Sequence, residues 1–579
     1  MFRNRQIPRR RRHQGKIMDN HMPRKKFWFV FFVLFFLWYL LLYGSDWSSF
    51  TTFSSISHNQ DNPLQSVGST STNPTLQNVT IDFDVNHTSN YVSKNATIVE
   101  YKNHTESINV ENDAIEDLEG LEKELEPILP QDDEERKQRV VEKPSTRKSC
   151  TGRYIYMHDL PTRFNDDYIK QCKLLNKWHD MCQYFVNSGL GNPIRLFSGS
   201  GWYVTHQFSL DVIFHHRMKQ YECLTNDSSK AAAIYVPYYP GLDVSRYLWD
   251  YYNTSIRDTD ALELYKWLRG KPEWDKVMGM DHFLVTGRIT WDLRRGIDSG
   301  AGSEWGSKLM MLPESQNMTM VTIESSPWDK NDFAVPYPTY FHPSSEDQIF
   351  QWQNRMRKQR RRSLFCFAGA PRPNMKGSIR DEIMKQCTAS NRRCKLMECK
   401  NEKHNCLKPA NVMRMFQSSV FSLQPPGDSF TRRSTFDSIL AGCIPVFFTP
   451  GSAYVQYLWH LPKDYGSYSV LISEEDVKQK KVNIESVLSR IPKEKVAAMR
   501  EVVIKLIPKV IYARTRLEKV DDAFDLAVRG VIERIDGLKR EMREGRNFSK
   551  EFDAESSWKY YTFGTTKQHE WDHYFKRHK

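Results

Sequence analysis

A Pro-Pro-Gly turn at 425–427 runs into DSFTRRSTFDSIL and then AGCIPVFFTP, and these 26 residues leave the surrounding chain little choice of fold. A tight turn, a short helix carrying one acid (Asp437) and an apolar β-branched run at 444–448 make one helix-to-strand step of an α/β unit. The head of that helix is electropositive, because its first N–H groups have no intrahelical partners. With Arg432 and Arg433 beside it, such a segment suits a diphosphate. An acid about two turns further on suits the diol of a ribose, as in dinucleotide folds.

The same alternation extends over most of the chain after residue 150. Strands are predicted at 153–157, 231–237, 283–285 and 320–323, with helices at 208–221 and 262–269. A second series has strands at 364–367, 420–423 and 444–448, with helices at 378–387, at 412–417 and through Asp437. Long helical patterns at 484–506 and 517–543 follow. Two such series predict two doubly wound, Rossmann-like α/β domains facing a cleft.

A net charge of +13 suggests a polyanionic partner until it is located. Residues 1–26 hold ten Lys or Arg against one acid, so nine of those charges lie there and four remain for the rest of the chain. Nucleic-acid binding by the folded part is thereby disfavoured. Residues 27–43, FWFVFFVLFFLWYLLLY, carry no charge. As a helix they span about 26 Å, enough for a thin bilayer. The preceding basic residues place the N-terminus in the cytosol and the remainder across the membrane, a type II signal anchor. Residues 44–147 have little apolar periodicity and read as a disordered stem. Asn78, Asn86, Asn95 and Asn103 begin glycosylation sequons within the stem, and Asn226, Asn253, Asn317 and Asn547 do so later.

Ten cysteines, all after the stem, fit disulfides in an oxidising lumen, with connectivity left open. Cys387, Cys394, Cys399 and Cys406 are spaced by seven, five and seven, which lacks zinc knuckles and favours one or two local bridges. Cys366 and Cys443 lie in apolar runs and read as buried thiols. A metal-bound nucleotide would need an Asp-x-Asp pair after a buried strand. Asp82 and Asp84 fall in the stem, while Asp258 and Asp260 precede an apolar helical run and read as its N-cap. No metal and no cofactor are therefore expected.

Several strings, in order, carry a resemblance to a known family: CTGRYIYMHDLPTRFN (150–165), THQFSLDVIFHHRM (205–218), GMDHFLVTGRITWDLRR (279–295), PYPTYFHPS (336–344) and LFCFAGAPRP (364–373), together with the 428–453 segment. Over roughly 148–540 the chain resembles the plant exostosin-like glycosyltransferases of family 47, and among them the xyloglucan galactosyltransferases. The resemblance implies a GT-B fold. Its expected domains are a cytoplasmic tail (1–26), an anchor (27–43), a stem (44–147), an acceptor-side domain (148–345), a donor domain (346–505) and terminal helices with a tail (506–579). It also implies inverting transfer of β-galactose from a UDP-sugar, as substrate, to xylosyl side chains of xyloglucan at the Golgi membrane, alongside other glycosyltransferases. Another UDP-sugar, arabinose or galacturonate, or a non-catalytic scaffold within a synthase complex, are the competing readings.

On that reading Gly369, Arg372, Gly427, Ser429, Arg432 and Arg433 receive the diphosphate, and Asp437 the ribose. The family's arginine often stands three residues before the acid. Here that position is Ser434, which leaves open which of Arg432 and Arg433 meets the phosphate. Inversion needs a base on the acceptor side. Asp281 and His282, just before a predicted strand at an expected cleft edge, are the first choice, with Asp243 and Glu324 as alternatives. Of the aromatic residues Trp202, Tyr203, Tyr238, Tyr239, Tyr247, Trp249 and Trp291, only a few are expected to line a sugar groove.

Overall fold

The structure, a computed structural model, describes residues 149–544 and 568–575 except 198, 250–251, 297–304, 376, 400–405 and 407. The basic tail, the anchor, the stem and the sequons at Asn78, Asn86, Asn95, Asn103 and Asn547 lie outside the described residues. No described helix is long and apolar enough to cross a membrane. Asn226, Asn253 and Asn317 are described and exposed.

The first part of the chain contributes β1 (Ile155–Met157), a hairpin of β2 (Pro193–Leu196) and β3 (Gly199–Tyr203), then β4 (Leu224–Thr225), β5 (Ala233–Tyr235), β6 (His282–Val285), β7 (Thr319–Thr322) and β8 (Asp332–Ala334). Apart from the hairpin these form one sheet in the order β4-β1-β5-β6-β7-β8, every pair parallel. Parallel strands are covered on both faces and are largely apolar. Ile155, Ala233, Tyr235, Phe283, Leu284, Val285, Met320 and Val321 are accordingly buried. Helices of this half include α1 (Leu210–Met218), α2 (Pro240–Ser245) and α3 (Thr254–Arg269).

A second sheet is built from β9 (Ser363–Gly369), β10 (Cys394–Glu398), β11 (Ser419–Gln424), β12 (Ile444–Phe447) and β13 (Val470–Leu471), in the order β10-β9-β11-β12-β13. It too is parallel throughout. The helix after the Pro-Pro-Gly turn is α4 (Arg433–Leu440), closed by Gly442 at φ +63°, a left-handed turn that favours glycine. In both sheets the chain steps outward from its first strand to one side and then returns to the other. That order puts a ligand crevice at the carboxyl ends of the strands flanking the reversal. For the second sheet these strands are β9 and β11.

Three expectations are corrected. Helix α3 starts earlier than the pattern indicated, with Asn253 as the N-cap accepting the Ser255 amide, so Asp258 and Asp260 sit within the helix and cap nothing. The 484–506 pattern is two helices, α5 (Ile484–Ser489) and α6 (Lys493–Leu506), because Pro492 between them cannot continue a helix. The last long helix, α7, begins at Ala523 rather than 517, where Asp522 and Asp525 form a reciprocal capping box. α7 lies against the first sheet, with Phe524 packed on Phe214 and Asp522 paired with the buried Arg217.

Cysteines pair as Cys150–Cys223, Cys172–Cys182, Cys387–Cys394 and Cys399–Cys406, while Cys366 and Cys443 remain buried thiols.

Candidate donor site between the two sheets

The carboxyl ends of β9 and β11 feed the loops 369–372 and 425–432, and these loops meet. Arg372 reaches Asp428 at 3.4 Å, and Arg380 donates from Nε to the Pro426 carbonyl and from Nη1 to the Ala370 carbonyl. Gly427 lies flat beneath the guanidinium of Arg432: a Cβ there would fall 1.6 Å from Arg432 Nη2. Arg432 donates to Ser429 Oγ at 3.2 Å and to the Thr431 carbonyl at 2.6 Å, so it is folded back on its own loop.

Arg433 points the other way. It donates to the Thr205 carbonyl of the first half at 2.7 Å, stacks 3.6 Å above the Tyr340 ring and pairs with Asp437 at 3.3 Å. Asp437 is 3% exposed, and burial pushes its carboxyl up to about 6 against the opposing pull of Arg433. Asp437 Oδ1 and Arg433 Nη2 are buried with no hydrogen-bond partner among the described residues. The helical spacing of four puts the two side chains on one face of α4.

Facing this cluster are the carboxyl-end loops of the first sheet. Glu324, two residues beyond β7, is fully buried and accepts from Ser429 Oγ (2.7 Å), from the Thr431 amide (2.7 Å) and from Trp291 Nε1 (2.8 Å). Thr431 Oγ1 also donates to it, and the Phe430 amide lies at 3.3 Å. Tyr337 meets Thr431 Oγ1 at 3.1 Å. Asp211, on α1, accepts the amides of Gly241 (3.0 Å) and Gly287 (2.7 Å), binding together the first turn of α2 and the loop after β6. Burial pushes that carboxyl up to about 7. Arg288 follows Gly287, stacks 4.0 Å over Phe208 and donates to Ser245. The nearby His206 imidazole is driven well below its ordinary range by burial, with Arg288 and Arg433 adding to the effect.

Arg372, Gly427, Ser429, Arg432, Arg433 and Asp437 are thus brought into one loop cluster. Gly369 sits at the end of β9 facing the Phe367 ring, 2.7 Å from where its Cβ would be, so its smallness admits that ring. Asp281 and His282 are elsewhere. His282 is the first residue of β6, at the amino end of a parallel strand, whereas the loops that meet the second sheet leave from the carboxyl ends. Its ring is fully buried against Trp274 and His158, with Nδ1 on Asp281 at 2.8 Å and Nε2 on His158 Nε2 at 3.1 Å. The expected cleft edge is therefore the wrong end of the strand. Asp243 is held by Tyr238 and Arg246, and Asp258 and Asp260 are taken up by Arg295 and by Arg163, Arg246 and Tyr168. Among the aromatic candidates Trp202, Tyr203, Tyr238 and Tyr239 are core, while Trp291 touches the cleft through Glu324.

Glu324 was legible only as an alternative base, and Thr205, Tyr340 and Arg288 were not singled out in the sequence. What could have found them is direction, since each stands just beyond the carboxyl end of a strand or in a loop beside one.

The exostosin GT47 domain profile matches residues 149–488, a span that includes both sheets. Among known proteins the chain is similar to xyloglucan galactosyltransferase MUR3 of Arabidopsis thaliana, 53% identical over 440 residues that cover 74% of this chain and 70% of that one. It is similar to probable xyloglucan galactosyltransferase GT12 of the same plant, 52% identical over 416 residues, 70% of this chain and 81% of that one. Xyloglucan-specific galacturonosyltransferase 1, again from Arabidopsis thaliana, is 42% identical over 390 residues, covering 67% and 58%.

Proposed function

The chain belongs to the exostosin GT47 family, and we propose that it is a glycosyltransferase moving galactose from UDP-galactose to the xylosyl side chains of xyloglucan, with inversion. The observation that carries this reading is the 53% identity to a xyloglucan galactosyltransferase over 440 residues, beside a family profile whose span, 149–488, takes in the loops of both sheets.

The chemistry of the loops supports a nucleotide-sugar donor. The crevice after β9 and β11 takes the diphosphate, where the 429–431 amides and hydroxyls and the Arg433 guanidinium offer donors that strengthen as charge develops on the leaving group. Arg433 is the arginine that serves it, because its Nη2 is unspent while Arg432 is engaged with its own loop. Asp437 Oδ1, equally unspent, accepts from the ribose hydroxyls. Arg372 holds the two loops together through Asp428. With arginines and amides supplying the positive field, transfer proceeds without a divalent cation. Residues 27–43 anchor the enzyme in the Golgi membrane with its catalytic part in the lumen.

The test is a donor screen on the full-length chain in mild detergent with galactose-free xyloglucan oligosaccharides, read by product mass. UDP-galactose gives a hexose adduct in the presence of EDTA. An adduct from UDP-galacturonate instead would reassign the donor, and none from any UDP-sugar by a folded protein would overturn the enzyme reading.

A further inference from the structure

The diphosphate cradle is filled in this structure by a carboxylate of the protein itself. Four donors of the 429–431 loop, namely Ser429 Oγ, Thr431 Oγ1 and the Phe430 and Thr431 amides, converge on Glu324, and Trp291 Nε1 supplies a fifth. Amides and hydroxyls beside a helix start form a site for any anion, and a carboxylate with the same donors is what a phosphate oxygen would replace. On α4, one atom of each partner of the Arg433–Asp437 pair, Arg433 Nη2 and Asp437 Oδ1, has no hydrogen bond among the described residues.

The backbone at Glu324 is fixed on both sides. Its carbonyl accepts from the Thr290 amide at 2.9 Å, and the Ser325 amide donates to Gln456 at 2.8 Å. Exchange therefore needs only rotation of the Glu324 side chain about its own staggered torsions. The carboxylate belongs to the first half of the molecule and the cradle to the second, so the contact also ties the halves together before any donor arrives.

We propose that Glu324 is an internal competitor for the donor: its carboxylate occupies the diphosphate subsite in the empty enzyme and is displaced when UDP binds. This rests on the donor reading given above. A site open for only a fraction of the time binds with an affinity reduced by that fraction. Removing the competitor raises affinity, whereas removing a mere scaffold for the loop lowers it.

UDP binding to the full-length chain by calorimetry separates these cases. Glu324→Gln and Glu324→Ala are expected to tighten UDP by about fivefold or more, the occupancy cost being lifted. Equal or weaker UDP affinity in whichever of the two folds, judged by its melting temperature, overturns the latch and leaves the donor site standing. A second readout needs no change at Glu324. On UDP binding Trp291 changes its emission as its indole acceptor leaves, and Trp291→Phe abolishes that change while still binding UDP. A native protein that binds UDP with no Trp291-dependent signal overturns the latch. A native protein that binds no UDP overturns the donor assignment and the latch together.

Discussion

Asp437 carries two burdens that pH separates. Its carboxyl, pushed from an ordinary 3.8 up to about 6 by burial, keeps a proton in the folded state that the unfolded chain has already released. Its contribution to stability is thus greatest below pH 3.8 and fades as pH rises through about 6. The ionised form, which pairs with Arg433 and to which the proposed donor site assigns the ribose, populates over the same interval. UDP affinity of the native enzyme should therefore climb between pH 5 and 7 and then level, about 6 being the midpoint. Asp437→Asn should lose roughly tenfold in UDP affinity at pH 7.5, the cost of about one charged hydrogen bond, and show a flat profile. Gly427 makes a different demand. An added methyl there meets only the movable end of Arg432, so Gly427→Ala should leave the melting temperature close to native yet weaken UDP measurably as Arg432 is pushed into the site. A large drop in melting temperature would show that the turn itself needs glycine.

At the level of strands and helices, most of what the sequence could reveal was revealed by period. Runs such as IPVFF and LFCFAG announce buried strands, and the turn before Arg432 announces a helix start. Ends were harder. Asn253, nine residues ahead of the apolar pattern at 262–269, capped the helix earlier than hydrophobicity alone could indicate, because the first turn of that helix is largely polar. The expected placement of Asp281 and His282 at a cleft edge was off for a related reason: a strand is recognisable in isolation, but which of its ends meets a partner depends on the direction of its neighbours in the sheet. The donor loops were legible because glycine, arginine and acid stand within a dozen residues. Glu324 was ranked second because its partners lie more than a hundred positions away. One junction between elements can be tested directly. A methyl on Gly287 would lie 2.5 Å from the Phe208 carbonyl and 2.7 Å from Asp211, neither of which can yield cheaply. Gly287→Ala should cost about 1–3 kcal/mol in denaturant unfolding, and an unchanged midpoint would show that the α1 contact is slack.

For the molecule as a whole, α7 is the member that crosses from one half to the other. Asp522 pairs with Arg217 at 2.7 Å where neither side chain is more than 2% exposed, and Arg217 also donates to the Ala513 carbonyl. Cutting one partner of such a pair strands the other charge, so Asp522→Asn should destabilise by about 3–5 kcal/mol. Arg217→Met with Asp522→Asn, which keeps a capping side chain on α7, should recover much of that loss, as measured by denaturant unfolding. The same pairing has a consequence for how the polypeptide is made. Arg217 leaves the ribosome some three hundred residues before its counter-ion, so a nascent first half exposes a cation meant for the interior and an apolar face meant for Phe524. Synthesis of this chain is therefore a wait. The earlier half stays a client of chaperones until the final long helix has been synthesised, and a premature stop anywhere before codon 522 should yield a product that quality control degrades.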